Sequence, residues 1–224
     1  MSEPSEPTYI PAAEGADLDV TQSMVSLFPT LVVNHHFEGV DDMNAALLDT
    51  IEAEAATAES VDTSNVGGFH SGPDFLLQDV ACIAELRTRL QGVLVQLTRA
   101  VLRPREGNRK VHFELQGWAN RLMRNDYHAV HSHPNYFWSG IYFLTDNPPV
   151  PEHPLSGKLE LMDPRSGASI SDPRDTTLYG RYLVDPRAGQ LLIFPSWLMH
   201  CVHPYQGEQP RVSIGFNVDF RFRA

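Results

Sequence analysis

The 224-residue sequence has few cysteines, few basic residues and no long apolar run. Its two cysteines, Cys82 and Cys201, are too few for a disulfide framework and lie in no C-x-x-C motif, which favours a reducing cytoplasmic location. A net charge of −11 predicts neither nucleic acid nor an anionic membrane as partner. No apolar run approaches the roughly 20 residues of a membrane helix, and we expect no signal peptide. A small-molecule or peptide substrate is the expected partner.

Composition divides the chain into a tail and one domain. Residues 1–22 are rich in Pro, Glu, Asp and Ser, a composition that cannot offset the entropy of ordering, so we expect a flexible tail. With 42% hydrophobic residues, the remainder can bury a proper core. We therefore expect a single domain over 23–224, with a helical layer at about 40–103 and a β-rich core at about 109–221.

The first half of this domain is predicted to be mainly helical. Residues 24–37 indicate a bent or edge strand, because proline interrupts a β-branched and aromatic run. Apolar residues spaced three and four apart then predict amphipathic helices at 40–58 and 79–102. The Gly, Ser, Asn and Pro content of 60–73 predicts a loop between them.

The second half reads as short strands separated by Pro- and Gly-rich connections. Many short strands at this spacing predict a sandwich, jelly roll or barrel, and the two preceding helices make an α+β fold in which they brace a sheet from outside. The outer helices also offer a surface for a homodimer. The predicted strands are 110–122, 139–145, 158–162, 179–184, 190–194 and 211–220.

A candidate metal site begins with the pair His131 and His133. In extended backbone, residues two apart point to the same face, so the two imidazoles can converge on one metal ion. A third ligand has to come from elsewhere in the chain. The best candidate is His200, which follows a buried strand in the run G-Q-L-L-I-F-P-S-W-L-M-H.

A candidate carboxylate clamp opens the last predicted strand. From residue 211 onward, apolar residues alternate strictly with polar residues and glycine, so Arg211 and Ser213 share one face. If that face lines a barrel interior, the guanidinium and the hydroxyl are placed to hold a carboxylate, because arginine suits bidentate carboxylate binding.

The order of these motifs resembles that of the iron(II)- and 2-oxoglutarate-dependent oxygenases. The pieces, in chain order, are H-x-H, S-G-I-Y-F-L-T, S-G-K-L-E-L-M-D-P-R, F-P-S-W-L-M-H and R-V-S-I-G-F-N. Within that superfamily the chain is similar to a small bacterial and phage group with H-x-H, F-P-S-W-x-x-H and R-x-S signatures. The resemblance implies a double-stranded β-helix of the jelly-roll, cupin-like kind, with iron at the mouth of the barrel.

The resemblance also implies roles for individual residues. His131 and His200 would ligate iron, while Arg211, helped by Ser213, would bind the far carboxylate of 2-oxoglutarate. Asn120 stands where relatives often place a contact to the cosubstrate. Tyr142 and Phe143 stand where many members have two tyrosines, one of which faces the cosubstrate, and the sequence leaves open which residue does so here.

One position departs from the superfamily. Most members have H-x-D or H-x-E, which gives two histidines and one carboxylate around the iron. Here the second position is His133, and three neutral imidazoles would leave a charge of +2 where a carboxylate leaves +1. Either His133 is the third ligand, or a carboxylate such as Asp163 or Asp126 completes the site.

The resemblance therefore implies a dioxygenase that uses iron(II), 2-oxoglutarate and dioxygen to hydroxylate an unknown substrate, with release of succinate and carbon dioxide. One alternative is a cupin-like enzyme with three histidines that does not use 2-oxoglutarate. Another is a non-catalytic jelly-roll module that binds zinc, with a fourth ligand such as His203 closing the site.

Overall fold

The computed structural model describes residues 27–101, 110–166 and 180–223. The chain divides into two units, residues 1–30 and residues 31–224, and every helix and strand named below belongs to the second unit. The predicted flexible tail, residues 1–22, lies outside the described residues.

Two helices and eleven strands make up the described part of the second unit. The helices are α1 (Asp41–Ala55) and α2 (Ala81–Val101), and a short 3-10 helix at Phe75–Leu77 precedes α2. The strands are β1 (Val33–His36), β2 (Asn65–Val66), β3 (Phe69–His70), β4 (Lys110–Leu122), β5 (Tyr127–His131), β6 (Trp138–Phe143), β7 (Leu159–Met162), β8 (Arg181–Val184), β9 (Gln190–Pro195), β10 (His200–Val202) and β11 (Arg211–Arg223).

The strands form two antiparallel sheets. The major sheet has six strands in the order β1-β9-β6-β11-β4-β3, and the minor sheet has five in the order β2-β5-β10-β7-β8. Apolar side chains from both sheets meet in one buried cluster, which includes Phe143 and Phe194 of the major sheet and Leu161 and Val202 of the minor sheet. The sheets therefore pack face to face, as expected of a double-stranded β-helix.

The other face of the major sheet is covered by α1 and α2. Leu47 and Ile51 of α1, with Leu86 and Leu90 of α2, are fully buried in a cluster that includes β-strand residues such as Ile214. Each such side chain contributes about 1.5–3 kcal/mol by leaving water. The prediction that two helices brace the sheet from outside is confirmed.

Strand β11 is the central element because it connects the helical layer to the interior. Its apolar residues, such as Ile214, face the helices, while Arg211, Ser213 and Asn217 line a cavity between the sheets. The neighbours β4 and β6 are in register with it, so that Ser213 lies directly opposite Asn120. The strict alternation in sequence thus separates a structural face from a polar face.

The helices and six strand-like runs predicted from the sequence correspond to α1, α2, β4, β6, β7, β8, β9 and β11. The edge position predicted for 24–37 is confirmed for β1, which pairs only with β9. The prediction of a loop at 60–73 was wrong in part, since β2 and β3 lie within it. Neither described helix has the length and apolar composition needed to cross a lipid bilayer.

Candidate metal centre

Three histidines converge at one end of the minor sheet. His131 ends β5 and lies directly opposite His200, the first residue of β10. His133 follows two residues later, and its backbone N–H donates to the Ser196 carbonyl over 2.8 Å. The three rings have centroids 4.2–5.2 Å apart. One ring nitrogen from each lies within 4.8 Å of the others, a spacing that a single metal ion can bridge after small adjustments.

The pair His131 and His133 comes from one segment of chain, of which only His131 belongs to a strand. His131 closes β5, while His133 belongs to the connection to β6. The two rings nevertheless reach the same point, because the chain stays outside any turn until Pro134. Two imidazoles therefore come from one continuous segment, and the third comes from the paired strand.

Backbone carbonyls fix which ring nitrogen is free. Nδ1–H of His131 donates to the Ala129 carbonyl over 2.7 Å, and Nδ1–H of His200 donates to the Leu198 carbonyl over 2.9 Å. A carbonyl can only accept, so Nε2 carries the lone pair in both rings. This is the arrangement in which histidines commonly ligate metals. Ser64 Oγ lies 3.3 Å from His131 Nε2 and can donate to it.

The environment keeps these rings neutral at pH 7. Burial and the neighbouring His131 lower the pKa of His200 to about 3 and that of His133 to about 4. Burial also lowers the pKa of His131. Because a histidine must be deprotonated to ligate a metal, no proton has to be displaced from these rings at neutral pH. The donor set of three borderline-soft nitrogens fits a divalent ion such as iron(II) or zinc(II).

The carboxylates considered as alternative ligands lie elsewhere. Asp126 accepts a hydrogen bond from the backbone N–H of Met123 over 2.7 Å. Asp163 is ion-paired with Arg165. Within the described ranges, neither carboxylate joins the group of three imidazoles.

The predicted fourth ligand, His203, also lies elsewhere. Its Nε2 is 2.8 Å from an oxygen of Glu160. It belongs to a second group of side chains, which does not include the three clustered histidines. Among the described residues, the cluster therefore contains three protein nitrogens and no fourth side-chain ligand.

A buried arginine lies in the same cavity. Arg211 is 1% exposed, and its Nε donates to the Gly157 carbonyl over 2.9 Å. Its guanidinium stacks 5.4 Å from the centre of the Phe143 ring. Its Nη2 is buried and has no hydrogen-bond partner among the described residues. Burial lowers the pKa of Arg211 to about 10, which still leaves the side chain charged at pH 7.

The cavity has a volume of about 610 Å³ and connects the arginine to the histidines. Ser213 and Asn120 line it and are buried, and Asn120 Oδ1 has no hydrogen-bond partner within the part of the chain that the structure describes. An asparagine amide can present either its oxygen or its nitrogen, so this side chain is able to donate to a ligand. The cavity is therefore able to accept an anion at one end and a metal near the other.

The structure also resolves the choice between Tyr142 and Phe143. Tyr142 points into the helical layer, where its hydroxyl donates to Asn44 Oδ1 over 2.7 Å. Phe143 points to the opposite side, towards Arg211. The residue next to the guanidinium is thus a phenylalanine, which supplies a ring face but no hydroxyl.

Sequence reasoning missed two side chains of the cavity. His70, on the two-residue strand β3, stacks on Trp118 with ring centroids 5.6 Å apart. Ser64 precedes β2 and lies between His128 and His131, 3.3 Å from a nitrogen of each. Both lie in the segment predicted as a loop, where no periodicity marks an inward-facing residue.

Residues 116–217, which contain all three histidines and Arg211, match the protein family described as "Putative 2OG-Fe(II) oxygenase". The match covers a little less than half of the chain. Oxygenases of this family use iron(II), 2-oxoglutarate and dioxygen. The matched segment contains β5, β6, β7, β8, β9 and β10 entire, so strands of both sheets lie within it.

Two solved structures of low sequence identity share this fold. A Pseudomonas putida prolyl-4-hydroxylase is 14% identical with a TM-score of 0.61, over 86% of this chain and 93% of that chain. HygX from Streptomyces hygroscopicus, solved with nickel and 2-oxoglutarate bound, is 14% identical with a TM-score of 0.58, over 85% and 83% of the respective chains. The predicted double-stranded β-helix is confirmed. Among curated proteins, none matches the chain in sequence.

Proposed function

We propose that the protein is an iron(II)- and 2-oxoglutarate-dependent dioxygenase that hydroxylates an organic substrate and releases succinate and carbon dioxide. The observation that carries the proposal is the pairing of two features in one cavity. One is a cluster of three neutral imidazoles, and the other is a buried arginine with an unpartnered Nη2. A ligand that is both a metal chelator and a carboxylate satisfies both.

His131, His133 and His200 are the proposed iron ligands. The backbone carbonyls that accept from Nδ1 of His131 and His200 hold Nε2 towards the common point. Three protein ligands would leave room on the iron for the 2-oxo acid end of the cosubstrate, and the bound metal would supply the oxidising chemistry. Since the imidazoles are neutral, the metal-binding carboxylate of the cosubstrate would offset one of the two charges of the metal, while Arg211 would balance the far carboxylate.

Arg211 is the proposed partner of the far carboxylate of 2-oxoglutarate. A charged group buried without a partner costs several kcal/mol, and within the described part of the chain no carboxylate lies in ion-pair distance of Arg211. A bound carboxylate would remove this cost by accepting from Nη2. Ser213 Oγ and the Asn120 amide line the same cavity and can donate further hydrogen bonds.

The cosubstrate and iron together would supply the oxidising power, while the protein binds and orients the cosubstrate and limits the access of water. Arg211 and the histidines orient the cosubstrate at its two ends. The Phe194 ring packs against His200 with centroids 4.9 Å apart and forms an apolar wall of the cavity. A dry wall strengthens the hydrogen bonds that hold the cosubstrate and limits side reactions.

The substrate is proposed to be a small molecule or a peptide. HygX has been solved with hygromycin B bound, and the prolyl hydroxylase from Trichoplax adhaerens with a peptide fragment. The cavity of this chain is large enough to hold more than a cosubstrate, and Val61 and Val130 line it while being 40% and 51% exposed. A cytoplasmic location and a homodimer stay predictions.

The two other functions considered make different demands on Arg211. A three-histidine enzyme without 2-oxoglutarate, or a structural zinc module, has no use for an unpartnered guanidinium in the metal cavity. A structural zinc site also needs a fourth ligand, and the described residues offer none at the cluster. The arginine therefore favours the dioxygenase.

The proposal is tested by succinate formation in the presence of iron(II), 2-oxoglutarate and air. Many such enzymes decarboxylate 2-oxoglutarate slowly without substrate, so native protein should form succinate in proportion to enzyme concentration. His200→Ala should abolish iron binding and succinate formation while circular dichroism stays native. His153→Ala, at an exposed histidine, is the matched control and should retain both. Tight iron binding without any loss of 2-oxoglutarate would overturn the proposal.

A further inference from the structure

A second group of ligand-type side chains lies on the outer face of the minor sheet. Cys201 of β10 is directly opposite Glu160 of β7. His203 follows two residues after Cys201, and its backbone N–H donates to the Lys158 carbonyl over 3.0 Å, which continues the pairing of the two strands. Glu160, Cys201 and His203 therefore share one face. His200 belongs to the opposite face, which looks into the cavity.

The three side chains are close enough to share one ion. His203 Nε2 is 2.8 Å from Glu160 Oε2, and one ligand atom from each of the three side chains lies within 4.8 Å of the others. With zinc bonds of about 2.0–2.3 Å in a tetrahedral site, ligand atoms lie roughly 3.3–3.6 Å apart. Adjustments of about an ångström would bring the three to that spacing.

We propose that Glu160, Cys201 and His203 form a second metal site, which binds a divalent cation of the zinc class with water as the fourth ligand. Thiolate, imidazole and carboxylate are the donor types that zinc takes in proteins, and a thiolate disfavours magnesium and calcium. The site links β7 to β10, the strand that carries His200. Occupancy stabilises the minor sheet from the face opposite the cavity.

An ion-pair network explains only part of this arrangement. Arg181 Nη1 lies 3.4 Å from Glu160 Oε2, the same oxygen that contacts His203. This network gives no role to Cys201, a free thiol that is only 9% exposed. It also leaves Glu160 Oε1 outside the contacts found among the described residues. The Arg181 side chain is 52% exposed, so it can turn into solvent when a cation binds.

Cobalt(II) distinguishes the two sites because only the proposed one contains sulfur. We would titrate reduced, full-length protein with cobalt(II) in the absence of air. The native chain should develop a near-ultraviolet thiolate-to-cobalt charge-transfer band that saturates at one equivalent of sulfur-bound metal. Cobalt held by the three clustered histidines cannot produce this band. The outcome is therefore independent of the proposed dioxygenase function.

The chain offers a matched control, because Cys82 is its only other cysteine. Cys201→Ser should lose the band and Cys82→Ser should keep it, while His203→Gln should weaken cobalt affinity at least tenfold. Alkylation of the native chain tests the same cysteine without any variant. Zinc should slow alkylation of Cys201 in the native chain, with the modified peptide identified by mass spectrometry. No band in the native protein, or a band that persists in Cys201→Ser, would overturn the proposal.

Discussion

Replacing Arg211 by methionine is the substitution that separates cosubstrate binding from folding. Methionine retains an unbranched side chain of similar length, so it fills most of the space beside Phe143. It removes the positive charge, the Nε hydrogen bond to Gly157 and the unpartnered Nη2. If that nitrogen receives the far carboxylate of 2-oxoglutarate, the variant leaves this carboxylate buried without its partner.

The expected loss follows from the burial of the site. Truncating one partner of a buried, hydrogen-bonded charge pair costs about 2–5 kcal/mol, and Ser213 and Asn120 remain to donate. We therefore expect the low to middle part of this range, about 2–4 kcal/mol, which corresponds to roughly 30- to 700-fold weaker binding of 2-oxoglutarate. The thermal midpoint of the cosubstrate-free variant should change by only a few degrees, because the lost hydrogen bond is offset by removal of a buried unpaired cation.

Isothermal titration calorimetry under nitrogen, with nickel(II) in place of iron(II), measures this binding without turnover. Arg124→Met is the matched control, since Arg124 is exposed, and its dissociation constant should equal that of the native protein. An Arg211→Met variant that binds 2-oxoglutarate within threefold of native would refute the assignment of the clamp. A variant that unfolds would instead show that Arg211 has a mainly structural role.

Three further predictions concern stability. Tyr142→Phe leaves Asn44 buried without the hydroxyl that it accepts from, and it should lower the free energy of unfolding by about 1–3 kcal/mol in urea titrations while iron binding is unchanged. Gly140→Ala should destabilise by about 1–3 kcal/mol, because a Cβ there would overlap the Phe216 ring of β11 and lie 2.7 Å from the Leu192 carbonyl oxygen. Gly92→Ala on α2 meets nothing within 4 Å and should stabilise by about 0.5–1 kcal/mol, so equal effects at the two glycines would contradict the packing. Burial lowers the pKa of His200 from its ordinary value of 6.5 to about 3, so between these two pH values the unfolded metal-free chain binds more protons than the folded one. The free energy of unfolding should therefore fall as pH drops below 6.5. A flat profile of unfolding free energy from pH 6.5 to pH 4 would contradict the burial of His200.

The sequence predicted those parts of the fold that have a clear period. Strict alternation along β11 predicted which side chains face inward, and Arg211 and Ser213 do line the cavity. The three- and four-residue spacing of apolar residues likewise predicted α1 and α2. In both cases the pattern exists because one side of the element is buried among apolar groups and the other is not.

The sequence did not predict those parts of the structure in which apolar and polar residues follow no regular spacing. Strands β2 and β3 have two residues each, too few for alternation, so Ser64 and His70 had no signal beyond their residue type. The orientation of Tyr142 and Phe143 was also open. Both are fully buried, since β6 is covered by helices on one face and by the minor sheet on the other, and hydrophobicity alone does not separate the two faces.

The sequence analysis named His131, His133 and His200 as one set of ligands. His131 ends a strand and His133 lies in the connection that follows, while the pairing of β10 with β5 brings His200 to them. The position of His203 on the outer face could not be predicted, because the end of a three-residue strand does not reveal how far its alternation continues. The pairing of β10 with β7 determines the face on which His203 lies.

The most direct test of the proposed function is an anaerobic titration of the iron(II)-loaded protein with 2-oxoglutarate, followed by visible absorption. Bidentate chelation of iron(II) by a 2-oxo acid gives a weak charge-transfer band. We expect the band to appear in the native protein, to saturate at one equivalent and to be absent from His200→Ala. Iron bound at the histidines with no band at saturating 2-oxoglutarate would contradict the proposed function and favour a three-histidine enzyme that does not use this cosubstrate.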